Sequence, residues 1–288
     1  MSDNRSGGSA PTVLRMVLGK RLRHLREQAG VSFEDAARAI EVTPLTVRRI
    51  EKAEVGLRIP YVRELLHTYG VPESEVEDFL SMAREANQPG WWYSYRDVLP
   101  DWFSAYVSLE SEASVIRLYE PHYVPGLLQT HEYAAALMHI GFPNETKEDI
   151  DRRVALRLKR QDLLTKSEAP AVWAVLDETV LRRPVGGAEV MRAQIDRLNE
   201  VLDMPKVRIQ ILRFSVGAHP GAFGPFHHFR FGFSELPDVV YTESLVGSVY
   251  VDQPADVVTY LEVMDRMSVQ AEPVARTRAI LAELRKEL

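Results

Sequence analysis

Cysteine is absent from the chain. That excludes disulfides, thiolate catalysis and zinc sites with sulfur ligands, and it suits a reducing compartment. Long apolar runs are missing too; none approaches the roughly 18 residues needed to span a bilayer. The opening stretch, Met1 to Pro11, has no apolar signal-peptide core and reads as a short disordered tail. A soluble, cytoplasmic protein without membrane contact is expected. Catalytic signatures are lacking as well. There is no Gly-x-Ser-x-Gly elbow to activate a serine, and Gly186-Gly187 and Gly217, Gly221 and Gly224 lack the spacing of phosphate-cradling loops. His219, His227 and His228 lie close in sequence, but neighbours on a strand face opposite ways, so only one of the last two can join His219 on a metal. No HExxH helix accompanies them. The reading is a non-enzyme that needs neither metal nor cofactor.

Positive charge is scarce overall, with a net −6, yet it is unevenly spread. Residues 13–70 carry about +4 and the remainder about −10. Arg15, Lys20, Arg21, Arg23, Arg26, Arg38, Arg48, Arg49, Lys52, Arg58 and Arg63 supply the positive side. Such asymmetry is expected where one module meets phosphate and the other does not.

The same window has helical punctuation. Leu14, Leu18, Leu22 and Leu25 share one face of a helix from Val13 to about Ala29, ended by Gly30 in the left-handed C-cap position. Ser32, with Asp35 three residues on, starts a second helix through Ala36, Ala37 and Ile40. The turn Glu41-Val42-Thr43 follows. Thr43 is a good N-cap and Pro44 a good first helical residue for a third helix reaching about Ala53. Pro60 opens a fourth helix that Gly70 stops, and Pro72-Glu73 a fifth, with Val76, Phe79, Leu80 and Ala83 as its apolar stripe.

Two short helices joined by three residues cross steeply, so small side chains are needed where they touch. Ala36 and Ala37 meet that need, packing against Val47 and Ile50. The outward face of the third helix then presents Leu45, Thr46, Arg48, Arg49 and Lys52. Such a helix reads bases in the major groove with its N-terminal residues and meets phosphates at its flanks.

On these features residues 13–70 resemble the XRE family, the Cro/lambda-repressor type of helix-turn-helix. The resemblance rests on the Gly30 stop, the capped second helix, Val47-x-x-Ile50-Glu51 and the Ile59-Pro60 opening. It implies that Thr43, Leu45, Thr46 and Arg49 contact bases or nearby phosphate of double-stranded DNA, with Arg48 and Lys52 beside them. It also implies a salt bridge from Arg26 to Glu51, tying the third helix to the first. Phe33 departs from the pattern, standing where a polar phosphate contact is frequent. Pro44 and Leu45 also replace polar residues; Leu45 cannot make a bidentate hydrogen bond but can touch a thymine methyl. A homodimer is expected from the way such motifs read paired half-sites.

Asn87-Gln88-Pro89-Gly90 breaks the helical pattern. The expected organisation is a tail at 1–12, a helix-turn-helix domain at 13–86, an aromatic-rich linker at 87–100 and a larger domain at 101–288. In the last, helices are expected near 101–112, 130–140, 147–165, 187–203, 254–269 and 273–287. Strands are expected at 115–120, 171–176, 207–212, 226–231, 238–243 and 248–251. The fold class is therefore an all-α domain of about five helices followed by a regulatory or partner-binding α+β domain with a mixed sheet. Trp91, Trp92, Tyr93, Tyr95, Trp102, Phe103 and Tyr106 read as packing mass between domains, with a pocket lining as the alternative.

Three further segments stand out. Val124-Pro-Gly-Leu-Leu-Gln-Thr-x-Glu-Tyr133 and Ala218-His-Pro-Gly-Ala-Phe-Gly-Pro225 read as tight structural turns, with functional loops as the alternative. The helix from Asp149 to Leu164 carries Arg152, Arg153, Arg157, Lys159 and Arg160, read as a solvated basic face; an acidic partner or flanking DNA is the alternative. With Pro89-Gly-Trp-Trp and His219-Pro-Gly, these motifs resemble an actinobacterial group of antitoxin-like or WhiJ-type regulators that share a C-terminal domain of unassigned function. The resemblance implies a transcription factor, read as a repressor, often encoded with a small partner protein of the BldB kind. A protein that mainly sequesters such a partner, or one that senses a small molecule through its aromatic-rich domain, is the alternative. No effector is implied.

Overall fold

The computed structural model describes residues 12–233, 236–245 and 247–288. The described residues divide into two compact units, one holding 12–94 together with Ser104–Glu112, the other Tyr95–Phe103, Ala113–Gly232 and Pro237–Leu288. The first is helical: α1 Val13–Gln28, α2 Phe33–Ala39, α3 Pro44–Glu51, α4 Ile59–Thr68 and α5 Glu73–Ala86, followed by α6 Asp101–Glu112, which crosses from one unit to the other. In the second unit the order is β1 Ala113–Glu120, α7 His131–Gly141, α8 Lys147–Arg160, β2 Ala171–Asp177, α9 Glu178–Arg182, α10 Ala188–Val201 and β3 Val207–Leu212. There follow β4 Phe226–Phe231, β5 Val239–Ser244, β6 Gly247–Val251, α11 Pro254–Gln270 and α12 Val274–Glu287. This is a helical helix-turn-helix region followed by an α+β region, the fold class that the residue patterns predict.

The helix ends of the first unit follow from local chemistry. Gly30 takes φ 66°, and the Val31 amide donates back to the Arg26 carbonyl at 3.1 Å; only glycine adopts that conformation without a steric cost. The Ser32 hydroxyl accepts from the Asp35 amide at 3.1 Å and donates to the Asp35 carboxylate at 2.7 Å. Glu41, in the turn between α2 and α3, is left-handed at φ 53°, a conformation costing a side-chain-bearing residue about 1 kcal/mol. The core joins Leu18 and Leu22 to Ala36, Ala37, Val47, Ile50, Leu65 and Leu66.

The second unit is built on one six-stranded sheet, ordered β3-β2-β1-β4-β5-β6. Strands β1, β2 and β3 run parallel, while β4, β5 and β6 continue antiparallel from β1. Parallel neighbours need crossovers, and α7–α8 and α9–α10 supply them. Tyr119, Val175, Leu212, Phe226 and Val240 share one face and pack against Val257, Met264 and Met267 of α11. Ile116, Leu118, Val172, Ala174, Leu176, Ile209, Ile211 and Phe229, on the other face, are equally buried.

The outer strand β3 is closed by polar contacts. The Thr277 hydroxyl donates to the Ile209 carbonyl at 2.6 Å and the Glu272 amide to the Ile211 carbonyl at 2.9 Å. Gln210 accepts from the Trp173 indole and donates to the Ser268 and Glu272 carbonyls. The short α9, directly after β2, is absent from the sequence expectation. Its five residues are too few to show a period.

Candidate nucleic-acid interface

The α2–turn–α3 segment exposes one face of α3 and buries the other. Val47, Ile50 and Glu51 are buried, while Leu45, Arg48, Arg49 and Lys52 are exposed. The Thr43 hydroxyl caps the helix by accepting from the Thr46 amide at 3.3 Å, and the two threonine hydroxyls lie 3.0 Å apart in a mutual hydrogen bond. Pro44 follows as the first helical residue, where its missing N–H has no consequence. All six residues expected to face DNA thus lie along α3 and its caps. Thr43 is exposed and Thr46 half-buried.

Glu51 faces inward, onto Arg26. Arg26 Nε lies 2.6 Å from one carboxylate oxygen and Nη2 3.0 Å from the other. Arg26 Nη1 also donates to the Val31 carbonyl at 3.2 Å, so one guanidinium holds α1, α3 and the start of α2 in register. The hydrogen bonds that Arg26 donates to Glu51 raise its pKa above the ordinary value. Phe33 covers the pair: its ring centroid is 3.9 Å from the Arg26 guanidinium carbon and 4.7 Å from that of Arg48. An aromatic face between two guanidiniums favours both electrostatically. The residue that breaks the polar pattern therefore shields the bridge.

The basic surplus of this window is not all on the surface. Arg15 and Arg26 are both buried, and Arg15 donates weakly to the Ala86 carbonyl at 3.5 Å. The charge count gives no hint of this. Beside Thr46, the α3–α4 connection forms an open concavity of about 630 Å³ lined by Val42, Ile50, Leu57, Arg58 and Tyr61. Asn87 braces that connection, accepting from the Leu57 amide at 2.9 Å and donating to its carbonyl at 2.6 Å. Asn87, read as a helix breaker in the sequence, is in this respect part of the helical unit.

The other candidate residues are drawn into structure. On α8, Arg152 grips Asp97 through two bonds at 2.5 and 2.6 Å, Arg153 grips Glu145 in the same way at 2.5 and 2.6 Å, and Lys159 pairs with Asp162 at 2.6 Å. Arg157 donates to Gln129, and Arg160 is buried against Phe103. The helix is thus neither a freely solvated basic face nor an open anion surface. Its arginines fasten the unit, while Lys159 stays on the surface in an exposed pair.

The Val124–Tyr133 motif is likewise bonded internally. Gln129 donates to the Val124 carbonyl at 2.6 Å, the Tyr133 hydroxyl accepts from the Val124 amide at 3.1 Å, and the Gln194 side chain bonds both the Leu128 carbonyl and the Thr130 amide. The tight-turn reading holds there. His227 and His228, on opposite faces of β4, bond separate carboxylates, Glu120 and Asp238, each at 2.8 Å. His219 Nε2 lies 3.7 Å from Asp177. Among the described residues no group of three or more His, Asp or Glu side chains is placed to hold a metal ion. Nor, among them, is any helix long and apolar enough to cross a membrane. The aromatic run divides between the units: Trp92 is buried in the helical one, and Phe103 and Tyr95 meet Arg160 and Arg152 in the other.

An exposed helix, capped at its leading end and clamped from behind to a compact bundle, defines a helix-turn-helix protein. Residues 17–79 match the model of a helix-turn-helix domain. Residues 103–283, more than half of the chain, match the family described as a domain of unknown function (DUF5753), and the chain belongs to that family. No curated protein and no solved structure matches it.

Proposed function

We propose that the protein is a sequence-specific transcriptional regulator of the XRE type, a repressor acting in the cytoplasm, that reads the major groove of double-stranded DNA with α3. Leu45 and Thr46, at the leading turn, meet base edges; Thr43, Arg48, Arg49 and Lys52 meet bases or flanking phosphate. One observation carries this reading. The side of α3 that faces away from the core exposes three cations, while the buried side is fixed by Val47, Ile50 and the Glu51 bridge. Binding should weaken steeply with salt, because each phosphate contact releases condensed counterions. Arg49→Ala is expected to weaken operator binding about tenfold or more. Lys52→Ala should weaken binding evenly across sequences and reduce the salt slope by about 1. Gel-shift titrations at several salt concentrations, on sites found by genome-wide footprinting, measure both. Unchanged binding by Arg49→Ala and Thr46→Ala would mean that α3 is not the reading helix.

Two copies reading paired half-sites are part of the same proposal. The α+β unit then serves as the regulatory or partner-binding module, and the actinobacterial antitoxin-like group, with a small partner protein of the BldB kind, is the setting we favour. Phe223 supports a partner surface: it is fully exposed, at the end of a loop whose Gly221 packs against Tyr119 and Met267. Phe223→Ser in the full chain is expected to abolish co-purification with the product of the adjacent gene while leaving DNA binding intact. Equal recovery of that product by both proteins would remove the loop from the partner surface.

A further inference from the structure

The first turn of α3 holds two kinds of side chain. The Thr43 and Thr46 hydroxyls are bonded to each other at 3.0 Å, and the Thr43 oxygen also accepts from the Thr46 amide. About half of their hydrogen-bonding capacity is thus turned on the helix itself. Further along, the Arg48 guanidinium lies over the Phe33 ring and Arg49 Nε is 3.6 Å from Glu54. Between the threonines stands Leu45, 64% exposed and outside the hydrophobic core of its unit. Most of this branched hydrocarbon stands in water.

The major groove offers one apolar group, the 5-methyl of thymine, on the edge of an A·T pair. A helix reads with its leading residues. Leucine has no donor or acceptor for any other base mark. Resting on the DNA-reading role proposed above, we infer that Leu45 makes recognition methyl-dependent. Each half-site carries a thymine whose 5-methyl packs against the Leu45 side chain, and the leading turn discriminates through that apolar contact. A 5-methylcytosine at the same position presents the same group at the same place in the groove.

The test uses the full chain and an operator defined by footprinting, with each thymine replaced in turn by deoxyuridine. One thymine per half-site is expected at which uridine lowers affinity about fourfold, the worth of one buried methyl. At that position cytosine should bind more weakly than 5-methylcytosine by a similar factor. In Leu45→Ala the uridine effect should shrink below about twofold, circular dichroism showing an unchanged fold for this surface substitution. Uridine tolerated at every thymine, with specific binding intact, overturns the inference and leaves the regulator reading standing. A uridine effect undiminished in Leu45→Ala assigns the methyl to another residue and also overturns it. Absence of any specific footprint overturns the regulator reading and this inference together.

Discussion

Glu51→Ala is expected to destabilise the helix-turn-helix unit by about 3–5 kcal/mol, the usual cost of stranding one member of a buried ion pair. The Arg26 side chain is only 8% exposed and that of Glu51 4%. Removing the carboxylate leaves a buried guanidinium beside Phe33 with the Val31 carbonyl and, 3.8 Å away, the Glu27 carboxylate as its partners. Losses of this size approach the whole stability of a small domain, so the unit should unfold at moderate temperature and DNA binding should vanish with it. The pair itself need not stabilise the fold relative to an apolar replacement, since desolvating two charges offsets most of their attraction. Replacing both members, as in Arg26→Met with Glu51→Leu, should therefore recover most of what Glu51→Ala loses. Urea unfolding of the single and double variants, followed by circular dichroism, reads the difference. A loss below about 1 kcal/mol for Glu51→Ala would show that water or another group satisfies Arg26, and the bridge would lose its role as the bolt behind α3.

The Arg26–Glu51 contact was legible only through the resemblance to the XRE family; caps and spacing showed where α1 and α3 run. Ser32, Thr43, Pro44 and Gly30 each have a single favoured place relative to a helix end, and the three helices fall within about two residues of their expected limits, α3 ending at Glu51 where about Ala53 was expected. The strands were legible for a related reason. Val207, Ile209 and Ile211 alternate with polar residues, and β3 spans Val207–Leu212 as that alternation requires. Boundaries of this kind are local, and local chemistry decides them.

What stayed hidden depends on partners distant in sequence. Arg153 and Arg152 look like any exposed basic residues until Glu145 and Asp97 are brought alongside, the latter 55 positions away. Arg15 enters the charge count like its neighbours; arginines are mostly exposed, but this one is buried, with the Ala86 carbonyl, 71 residues on, beside it. The role of Phe33 also needed three dimensions, since the pattern marked it only as a departure. The roles proposed for Thr43, Leu45, Thr46, Arg48, Arg49 and Lys52 belong to a third kind. Their placement on α3 and its caps follows from helical periodicity, but the targets proposed for them lie on another molecule.

Gly19→Ala is the substitution whose effect the sequence would most mislead. Alanine is the best helix former and gains about 1 kcal/mol over glycine inside a helix, and Gly19 sits in the middle of α1. At this point, however, α1 crosses α3. A Cβ on residue 19 would lie 2.6 Å from the Glu51 carbonyl oxygen and 3.0 Å from that of Ile50. Both are backbone atoms, so no side chain can rotate aside, and the two helices must move apart. Overpacking of that kind costs about 1–3 kcal/mol, and here the shift also stretches the Arg26–Glu51 bonds and withdraws the backing from the exposed face of α3. The expected result is a net loss of about 2 kcal/mol in the helical unit, with operator affinity falling further than the unfolded fraction alone explains. Gly141→Ala, at the end of α7, is the matched control: nothing lies within 4 Å of its added Cβ, so it should be neutral or stabilising by up to about 1 kcal/mol. If both substitutions stabilise, α1 and α3 are not in backbone contact, and the rigid seating of α3 that the proposed reading of DNA requires must be sought elsewhere.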